Sequence, residues 1–317
     1  MTFHESGADR IVADDAFAQQ AEPLVALACG GRISLITWFR TPWQRGGSLT
    51  GYTTFRDDQG IERQAVVKLP VAPCERLWLT RLQAFENVVP RLFAAGDALG
   101  GYDLAWVVME RLPYGPLDKA WAGAAIDLLI DTAGRFFAAV DTFDVDTAPP
   151  KKDWDAVFRL AHRNIKSHNL AHEHRWRQAL KSAQRKIDSW LHVWLAREAR
   201  QWCHGDLHLS NAMTRREPPH GPAVLLDMAR IHAGHWVEDA VYFEHLYWSA
   251  PGRLAGRKVC SQLAKVRRAH GLSDDDDWPR LAQIRRALLA VSTPAMLEHE
   301  GSPRHVEAAL EVLEREV

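Results

Sequence analysis

The eight residues from His204 to Asn211 read HGDLHLSN, and they constrain this chain more than any other segment. They place a carboxylate at Asp206 and an amide at Asn211, five positions apart in one short polar loop. An apolar stretch then ends in a second carboxylate, Asp227, 16 residues after Asn211. Phosphoryl transfer needs a carboxylate to orient a hydroxyl, and an amide and a carboxylate to hold a metal ion on phosphates. The spacing therefore indicates phosphoryl-transfer chemistry.

A lysine in an upstream strand supports the same chemistry. Residues 52–55 and 65–69 are β-prone and flank a turn-forming segment at 57–60, which predicts a hairpin. Lys68 lies in the second strand of that hairpin. A lysine that neutralises phosphates, aimed by an acidic partner, is another part that phosphoryl transfer requires.

The remaining hydrophobic pattern predicts an α+β protein. Apolar residues recur at helical spacing between Leu77 and Val89 and predict a helix that Pro90 ends, and residues 104–109 predict another strand. Beyond residue 116 the pattern becomes mainly helical, with helix faces over 126–140, 154–165 and 176–194. Two short strands are predicted near 212–214 and 223–226.

The loop resembles that of a known enzyme group. The separation of Asp206 and Asn211 equals that of the Asp and Asn in the protein-kinase catalytic loop. Their surroundings match HGDxHxxN, the loop of the aminoglycoside phosphotransferase and choline kinase group of small-molecule kinases. The similarity extends from about residue 46 to about residue 248. It implies a two-lobed, protein-kinase-like α+β fold with a small antiparallel β lobe over 1–109 and a larger, mainly helical lobe over 110–317.

The resemblance assigns roles to the residues of the loop and the strands. Asp206 is expected to be the catalytic base, and Asn211 and Asp227 the ligands of Mg²⁺. Lys68 is expected to contact the phosphates of ATP, and Asp239 to brace the catalytic loop. ATP and Mg²⁺ are therefore the expected cofactors.

The acidic partner of Lys68 is one of two glutamates. Glu75 fits the family's Glu-then-Leu pattern, because Leu82 lies seven residues further on. Only six residues separate Lys68 from Glu75, which is a short connection between a strand and a helix. Glu75 is the preferred catalytic partner, and Glu86 is the alternative.

Two further segments resemble the nucleotide-binding parts of the family. Residues 46–48 resemble the loop over the phosphates, and residues 108–112 resemble the hinge whose backbone binds adenine. The residues expected to bind ATP are Gly46, Gly47, Ser48, Lys68, Met109, Glu110 and Leu112.

Departures from the family pattern leave alternatives open. Asp227 is followed by Met-Ala-Arg instead of the aromatic-plus-acid pair or the Phe-Gly that many relatives carry, and Gly205 replaces the Arg of the protein-kinase loop. A protein-kinase-like enzyme and a catalytically silent nucleotide-binding module are therefore alternatives to a small-molecule kinase. A metallohydrolase that uses His204, Asp206 and His208 as metal ligands is a further one. Four aromatic residues after Asp227 belong either to the core or to a wall of the acceptor site: Trp236, Tyr242, Tyr247 and Trp248.

Composition excludes several partners. Lys plus Arg is 39 and Asp plus Glu is 40, so the chain lacks the basic excess of a nucleic-acid-binding protein. Its four cysteines contain no CxxC pair, which fits a cytoplasmic protein, and no apolar stretch is long enough to span a membrane. The expected partner is a small molecule with a hydroxyl group, such as an aminoglycoside, an amino alcohol or a sugar. The sequence does not select among these acceptors or indicate an oligomeric state.

Overall fold

The computed structural model describes residues 10–11, 16–40, 48–119, 123–273, 277–300 and 302–317. These residues form two compact units. We call the first the sheet unit; it contains the described residues from 10 to 119 together with 209–231. We call the second the helical unit; it contains residues 123–208 and the described residues from 232 to 317. Residues 209–231 pack with the sheet unit, although the predicted division at residue 109 assigns them to the C-terminal lobe.

An antiparallel sheet of six strands forms most of the sheet unit, in the order β1-β2-β3-β4-β6-β5. Its strands are β1 Arg10–Ile11, β2 Thr37–Arg40, β3 Leu49–Arg56, β4 Glu62–Leu69, β5 Leu92–Gly96 and β6 Trp106–Glu110. Strands β3 and β4 form the predicted hairpin, and the side chain of Asp57 accepts hydrogen bonds from the amides of Gln59 and Ile61 in its turn. The hairpin prediction is confirmed.

The alternation of side chains in β4 determines where Lys68 lies. Ala65, Val67 and Leu69 are buried in a core to which helix α1 (Ala16–Ala28) also contributes. Because successive side chains of a strand point to opposite faces, Lys68 lies on the face of the sheet opposite this core.

Helix α2 (Pro73–Arg81) begins with a proline at its first turn and is shorter than the sequence pattern predicts. A single 3₁₀ turn, Leu82–Ala84, follows it, so the prediction of a helix extending to Val89 is wrong. The side-chain amide of Gln83 donates to the carbonyls of Leu79 and Pro90, at 3.0 and 2.9 Å. These bonds stabilise a turn in place of further helix, and Val89 is buried without being helical.

Four further strands are short: β7 Gln201–Cys203, β8 Ala212–Thr214, β9 Ala223–Leu225 and β10 His232–Gly234. Strands β8 and β9 pair within the sheet unit, whereas β7 and β10 pair within the helical unit. The strands predicted near 212–214 and 223–226 are thereby confirmed.

Eight α-helices are described in the helical unit. They are α3 Gly123–Val140, α4 Trp154–Ser167, α5 Glu173–Ala196, α6 Val237–His245, α7 Val259–Ala269, α8 Trp278–Ser292, α9 Leu297–Glu300 and α10 Pro303–Glu316. The predicted apolar faces of α3, α4 and α5 are buried, at Phe137, Ile165 and Trp190 for example. None of the described helices combines the length and the apolar character that crossing a bilayer requires.

Close packing at Gly51 in β3 yields a prediction for the sheet unit. A Cβ atom added there overlaps Cγ2 of Ile36 and lies 3.0 Å from Cε3 of Trp38, and both side chains are buried. We expect Gly51→Ala to lower the free energy of unfolding by about 1–3 kcal/mol, the usual cost of overpacking. Urea denaturation followed by tryptophan fluorescence measures this.

The matched control is Gly252→Ala, because a Cβ atom at Gly252 meets nothing within 4 Å. We expect this variant to differ from the parent by less than about 0.5 kcal/mol. Equal stability of the two variants would contradict the close approach at Gly51.

Candidate active site

Lys68 lies between two carboxylates of the sheet unit. Its Nζ atom is 2.6 Å from Oε1 of Glu75 and 3.6 Å from Oδ1 of Asp227. Only 3% of the Glu75 side chain is exposed, whereas Glu86 is exposed. The structure therefore pairs Lys68 with Glu75, the glutamate that the sequence pattern favours.

The charges of this cluster depend on one another. Burial lowers the pKa of Lys68, but the carboxylates of Glu75 and Asp227 outweigh that effect and leave it above its usual value. Burial raises the pKa of Glu75, and Lys68 offsets this increase only in part. Lys68 is therefore held in its charged form, as a cation that binds phosphates must be.

Helix α2 brings Glu75 to this position through its first turn. The thiol of Cys74 donates to the carbonyls of Met228 and Ile231, at 3.9 and 3.7 Å. These carbonyls belong to the segment directly after Asp227, so α2 and Asp227 are linked. Asp227 itself has a left-handed backbone with φ of 59°, a conformation that Asp tolerates better than most residues.

Asn211 is linked to the segment of Asp227 by the backbone. It ends the 3₁₀ turn Leu209–Asn211, just before β8, and its carbonyl accepts a hydrogen bond of 2.8 Å from the amide of Leu226. Strands β8 and β9 are antiparallel and pair Ala212 with Leu225, so Asn211 just before β8 and Asp227 just after β9 lie at the same end of this pair. Within the sheet unit the structure thus brings together Lys68, Glu75, Asn211 and Asp227.

The segment predicted to bind adenine lies at the end of β6. Met109 and Glu110 are its last two residues, and the amide of Glu110 donates to the carbonyl of Arg91 at 2.8 Å. Arg215 binds the Glu110 carboxylate through two nitrogens, at 2.9 and 2.8 Å. Burial raises the pKa of Glu110, but the hydrogen bonds and positive charges of Arg215 and Arg91 together outweigh it and leave the pKa below its usual value. Leu112 is buried just beyond the strand.

Of the predicted phosphate loop, the structure describes Ser48. Gly46 and Gly47 lie outside the described residues. Ser48 is half-buried, and its hydroxyl donates to the carbonyl of Pro70 at 2.8 Å. Its hydroxyl is therefore engaged in joining the start of β3 to the end of β4.

The predicted catalytic loop begins in the helical unit after β7. Both oxygens of Asp239, in the first turn of α6, accept backbone hydrogen bonds: from the amide of His204 at 2.7 Å and from that of Gly205 at 2.8 Å. Gly205 has a φ of +79°, which an L side chain rarely adopts. His204 is completely buried, and its Nδ1 accepts a hydrogen bond from the amide of Asp206. Asp239 thus has the contacts of the predicted brace.

Asp206 is held by a residue whose role the sequence pattern does not identify. The hydroxyl of Tyr242 donates to Oδ1 of Asp206 at 2.7 Å, and Nε2 of His208 is 3.5 Å from the same oxygen. Trp236 and Tyr247, in contrast, are buried core residues. The signal in the sequence is the spacing of Tyr242 from Asp239, since residues three apart lie on one face of a helix.

A group of possible metal ligands lies beside this loop but does not match the metallohydrolase alternative. In the described part of the chain, ligand atoms of Cys203, His232 and Glu238 lie within 4.8 Å of one another. Arg197 forms an ion pair of 2.9 Å with Glu238, and both side chains are less than a tenth exposed. A buried guanidinium in this position opposes a bound cation, so this cluster is a structural ion pair.

The sequence as a whole identifies the family of this chain. A model described as the phosphotransferase enzyme family matches residues 53–284. The chain belongs to this family. The predictions of the family and of a phosphotransferase enzyme are thereby confirmed. Among curated proteins, none matches the sequence.

Solved structures confirm the fold of this phosphotransferase. A protein from Ralstonia eutropha JMP134, provisionally described as an aminoglycoside phosphotransferase, is 17% identical with a TM-score of 0.55, covering 95% of this chain and 98% of its own. The GDP and kanamycin complex of APH(2")-IIIa is 16% identical with a TM-score of 0.55, and the match covers 93% of this chain and 97% of that one. A thermostable mutant of APH(4)-Ia with AMP-PNP and hygromycin B is 13% identical with a TM-score of 0.51, and the match covers 94% of this chain and 97% of that one. These likenesses confirm the predicted kinase-like α+β fold.

The burial of Asp239 gives a pH-dependent prediction. Burial raises the pKa of Asp239 to about 6, although the two amide donors lower it. Because the folded protein then binds this proton more tightly than the unfolded chain, the stability contributed by Asp239 falls as pH rises from about 4 to about 6. We expect the stability advantage of the parent over Asp239→Asn to shrink over this range by about 2 kcal/mol.

Urea denaturation of both proteins at several pH values tests this expectation. The difference between them isolates Asp239 from other groups that titrate, such as Glu238. For Glu238, burial alone would raise the pKa, but His232, Arg285 and Arg197 lower it to about 2. An advantage that grows with pH would contradict the assigned environment of Asp239.

Proposed function

We propose that this chain transfers the γ-phosphate of ATP to a hydroxyl group of a small molecule. The observation that carries the proposal is the position of Lys68, whose charge is held between the buried Glu75 and Asp227. A fixed cation beside a partly exposed carboxylate suits the phosphates of a nucleotide and their metal ion. The match of the chain to a phosphotransferase family supports the same activity.

The nucleotide part of the proposal rests on the sheet unit. Similar folds have been solved with GDP or with AMP-PNP, which supports nucleotide binding here. We propose that Lys68, kept charged by its neighbours, binds the phosphates and that Glu75 aims it. The backbone at the end of β6 and just beyond it, at Met109, Glu110 and Leu112, is proposed to bind adenine. Gly46, Gly47 and Ser48 are proposed to cover the phosphates.

The donor set of Asn211 and Asp227 fits Mg²⁺. Carboxylate and amide oxygens are hard ligands of the kind that Mg²⁺ prefers, and 42% of the Asp227 side chain is exposed. Bound Mg²⁺ offsets the negative charge of the phosphates. The linkage of α2 to the segment after Asp227 keeps that carboxylate near Lys68.

Asp206 is proposed to be the general base. Its carboxylate is oriented by Tyr242 and its backbone by the loop that Asp239 holds. In this role it orients the acceptor hydroxyl and receives its proton, while the hydroxyl oxygen attacks the γ-phosphorus of ATP and ADP leaves with the bridging oxygen. Catalysis is then mostly positioning and electrostatic stabilisation.

The acceptor is proposed to be a hydroxyl-bearing small molecule such as an aminoglycoside, an amino alcohol or a sugar. Structures with a similar fold have been solved with kanamycin and with hygromycin B. Both compounds therefore belong in the first set of acceptors to be assayed, together with choline and free sugars.

Replacing the proposed base tests the catalytic role. We expect Asp206→Asn to fold and to bind ATP, but to lose about 10²-fold to 10⁴-fold in turnover, the usual effect of losing a general base. The measurement is ADP release from Mg·ATP across the acceptor set. Asp188→Asn is the control, because Asp188 is an exposed residue of α5 in the same unit.

The outcomes separate the proposal from its alternatives. Normal turnover in Asp206→Asn would remove Asp206 from the role of base. ATP binding by the parent without turnover of any acceptor would favour a catalytically silent module.

Replacing Asp227 tests the metal site. We expect Asp227→Asn to lose the gain in ATP affinity that Mg²⁺ provides, because the charged ligand is gone while Asn still tolerates the left-handed backbone. Calorimetric titration of ATP with and without Mg²⁺ measures this gain. Asp58→Asn, at a side chain that is 92% exposed in the same unit, is the control. An unchanged Mg²⁺-dependent gain would contradict the assignment.

A further inference from the structure

Helix α6 contacts the catalytic loop at two points. Asp239 accepts the amides of His204 and Gly205, and Tyr242, three residues later, donates to the side chain of Asp206. The first contact fixes the backbone of the loop, and the second fixes a side chain. The helix between them is firmly packed, since Asp239 and the next two residues are each at most 1% exposed.

The contact from Tyr242 is short and charge-assisted. A hydroxyl that donates to an ionised carboxylate forms a stronger hydrogen bond than a neutral pair does, and it favours the ionised form of the acid. The phenol is rigid, with few rotatable bonds, and its helix is anchored. It therefore restricts the rotation of the Asp206 carboxylate as well as its protonation.

His208 and Asp239 contact Asp206 and its loop in other ways than Tyr242 does. His208, on the loop itself, is 3.5 Å from Oδ1 of Asp206, beyond the usual length of a strong hydrogen bond. Asp239 binds only the backbone of the preceding residues. Tyr242 and His208 are two titratable groups that lie beside this carboxylate.

From this geometry we infer that Tyr242 is a positioning residue, which holds the carboxylate of Asp206 in one orientation and in its ionised form. The inference rests on the proposed role of Asp206 as the base. It adds a residue that acts through Asp206 and that sequence patterns treat as a core aromatic or as part of an acceptor wall.

An opposite interpretation makes an opposite prediction. If the phenol occupied the place of the acceptor hydroxyl on Asp206, its removal would free that place. Tyr242→Phe would then raise kcat or lower the KM of the acceptor. A positioning residue predicts a fall in kcat instead.

The first test needs no acceptor. Protein labelled with ¹³C at the aspartate carboxyl is titrated by NMR, and Asp206→Asn identifies the signal of Asp206. We expect Tyr242→Phe to shift the titration midpoint of Asp206 upward by about one pH unit, because a donor to the ionised form is lost. Tyr102→Phe is the matched control, since this side chain is 66% exposed and lies in the sheet unit. An unchanged midpoint in Tyr242→Phe would overturn the inference.

The second test is kinetic and uses ADP release with the best acceptor of the set, and with water as acceptor. We expect Tyr242→Phe to lower kcat about 10-fold, to leave the KM of ATP unchanged within about 2-fold, and to move the acidic limb of the pH profile to higher pH. A merely structural role would move stability without moving this limb. Wild-type kcat, or a gain in activity, would overturn the inference.

Failure of the inference and failure of the proposed function give different results. If Asp206→Asn keeps its turnover, Asp206 is not the base and the proposed mechanism is wrong. If Asp206→Asn loses turnover while Tyr242→Phe retains both the parent's midpoint and its kcat, only the role of Tyr242 is wrong. Thermal unfolding of both variants verifies that each is folded.

Discussion

Glu75 is an ionisable side chain with almost no contact with water, and it is tolerated there because Lys68 lies 2.6 Å away. Removing one partner of such a pair leaves a buried charge, at a typical cost of about 3–5 kcal/mol. The pair therefore constrains how β4 and α2 pack, because a strand and a helix joined by only a few residues must present these two groups to each other. The thiol contact from Cys74 to the segment after Asp227 extends this constraint to the third member of the cluster. The charges of the sheet unit that are proposed to bind the nucleotide thus depend on a single ion pair.

The predicted catalytic loop depends on a different arrangement, in which one helix, α6, holds the loop in place. Acids usually stabilise a helix start by accepting its own amides, but Asp239 accepts amides of the loop from its place in the first turn of α6. The ion pair of Arg197 with Glu238 buries the neighbouring position of the same turn. Helix α6 is therefore held in place by charged groups that are buried together. Because the helix is fixed, the Tyr242 side chain has a fixed position beside Asp206.

Much of this arrangement is predictable from the sequence, since the chemistry of phosphoryl transfer limits which residue types can stand at which spacing. The hairpin that carries Lys68, the choice of Glu75, and the short strands that flank Asn211 and Asp227 follow from pattern and family resemblance. The position at which α2 ends is not predictable in this way, because the side chain of Gln83 forms hydrogen bonds that replace those of a continued helix. The contact of Arg215 with Glu110 is not predictable either, because it joins residues far apart in sequence for which a single sequence carries no signal. The contact of Tyr242 with Asp206 has only an indirect signal, the spacing of Tyr242 from Asp239 on one helix face.

The return of residues 209–231 to the sheet unit has a consequence for how the chain is made. This unit is discontinuous: its first part is complete near residue 119, and the segment with Asn211 and Asp227 emerges from the ribosome only after all of α3, α4 and α5. Long-range closure of this kind slows folding, because the entropy of a long loop is lost before the contacts form. The sheet unit therefore remains incomplete while more than eighty residues of the helical unit are synthesised. During that time Glu110 of β6 lacks its contact with Arg215. Protein synthesis thus imposes an order on assembly, in which the proposed metal ligands are among the last parts of the sheet unit to join it.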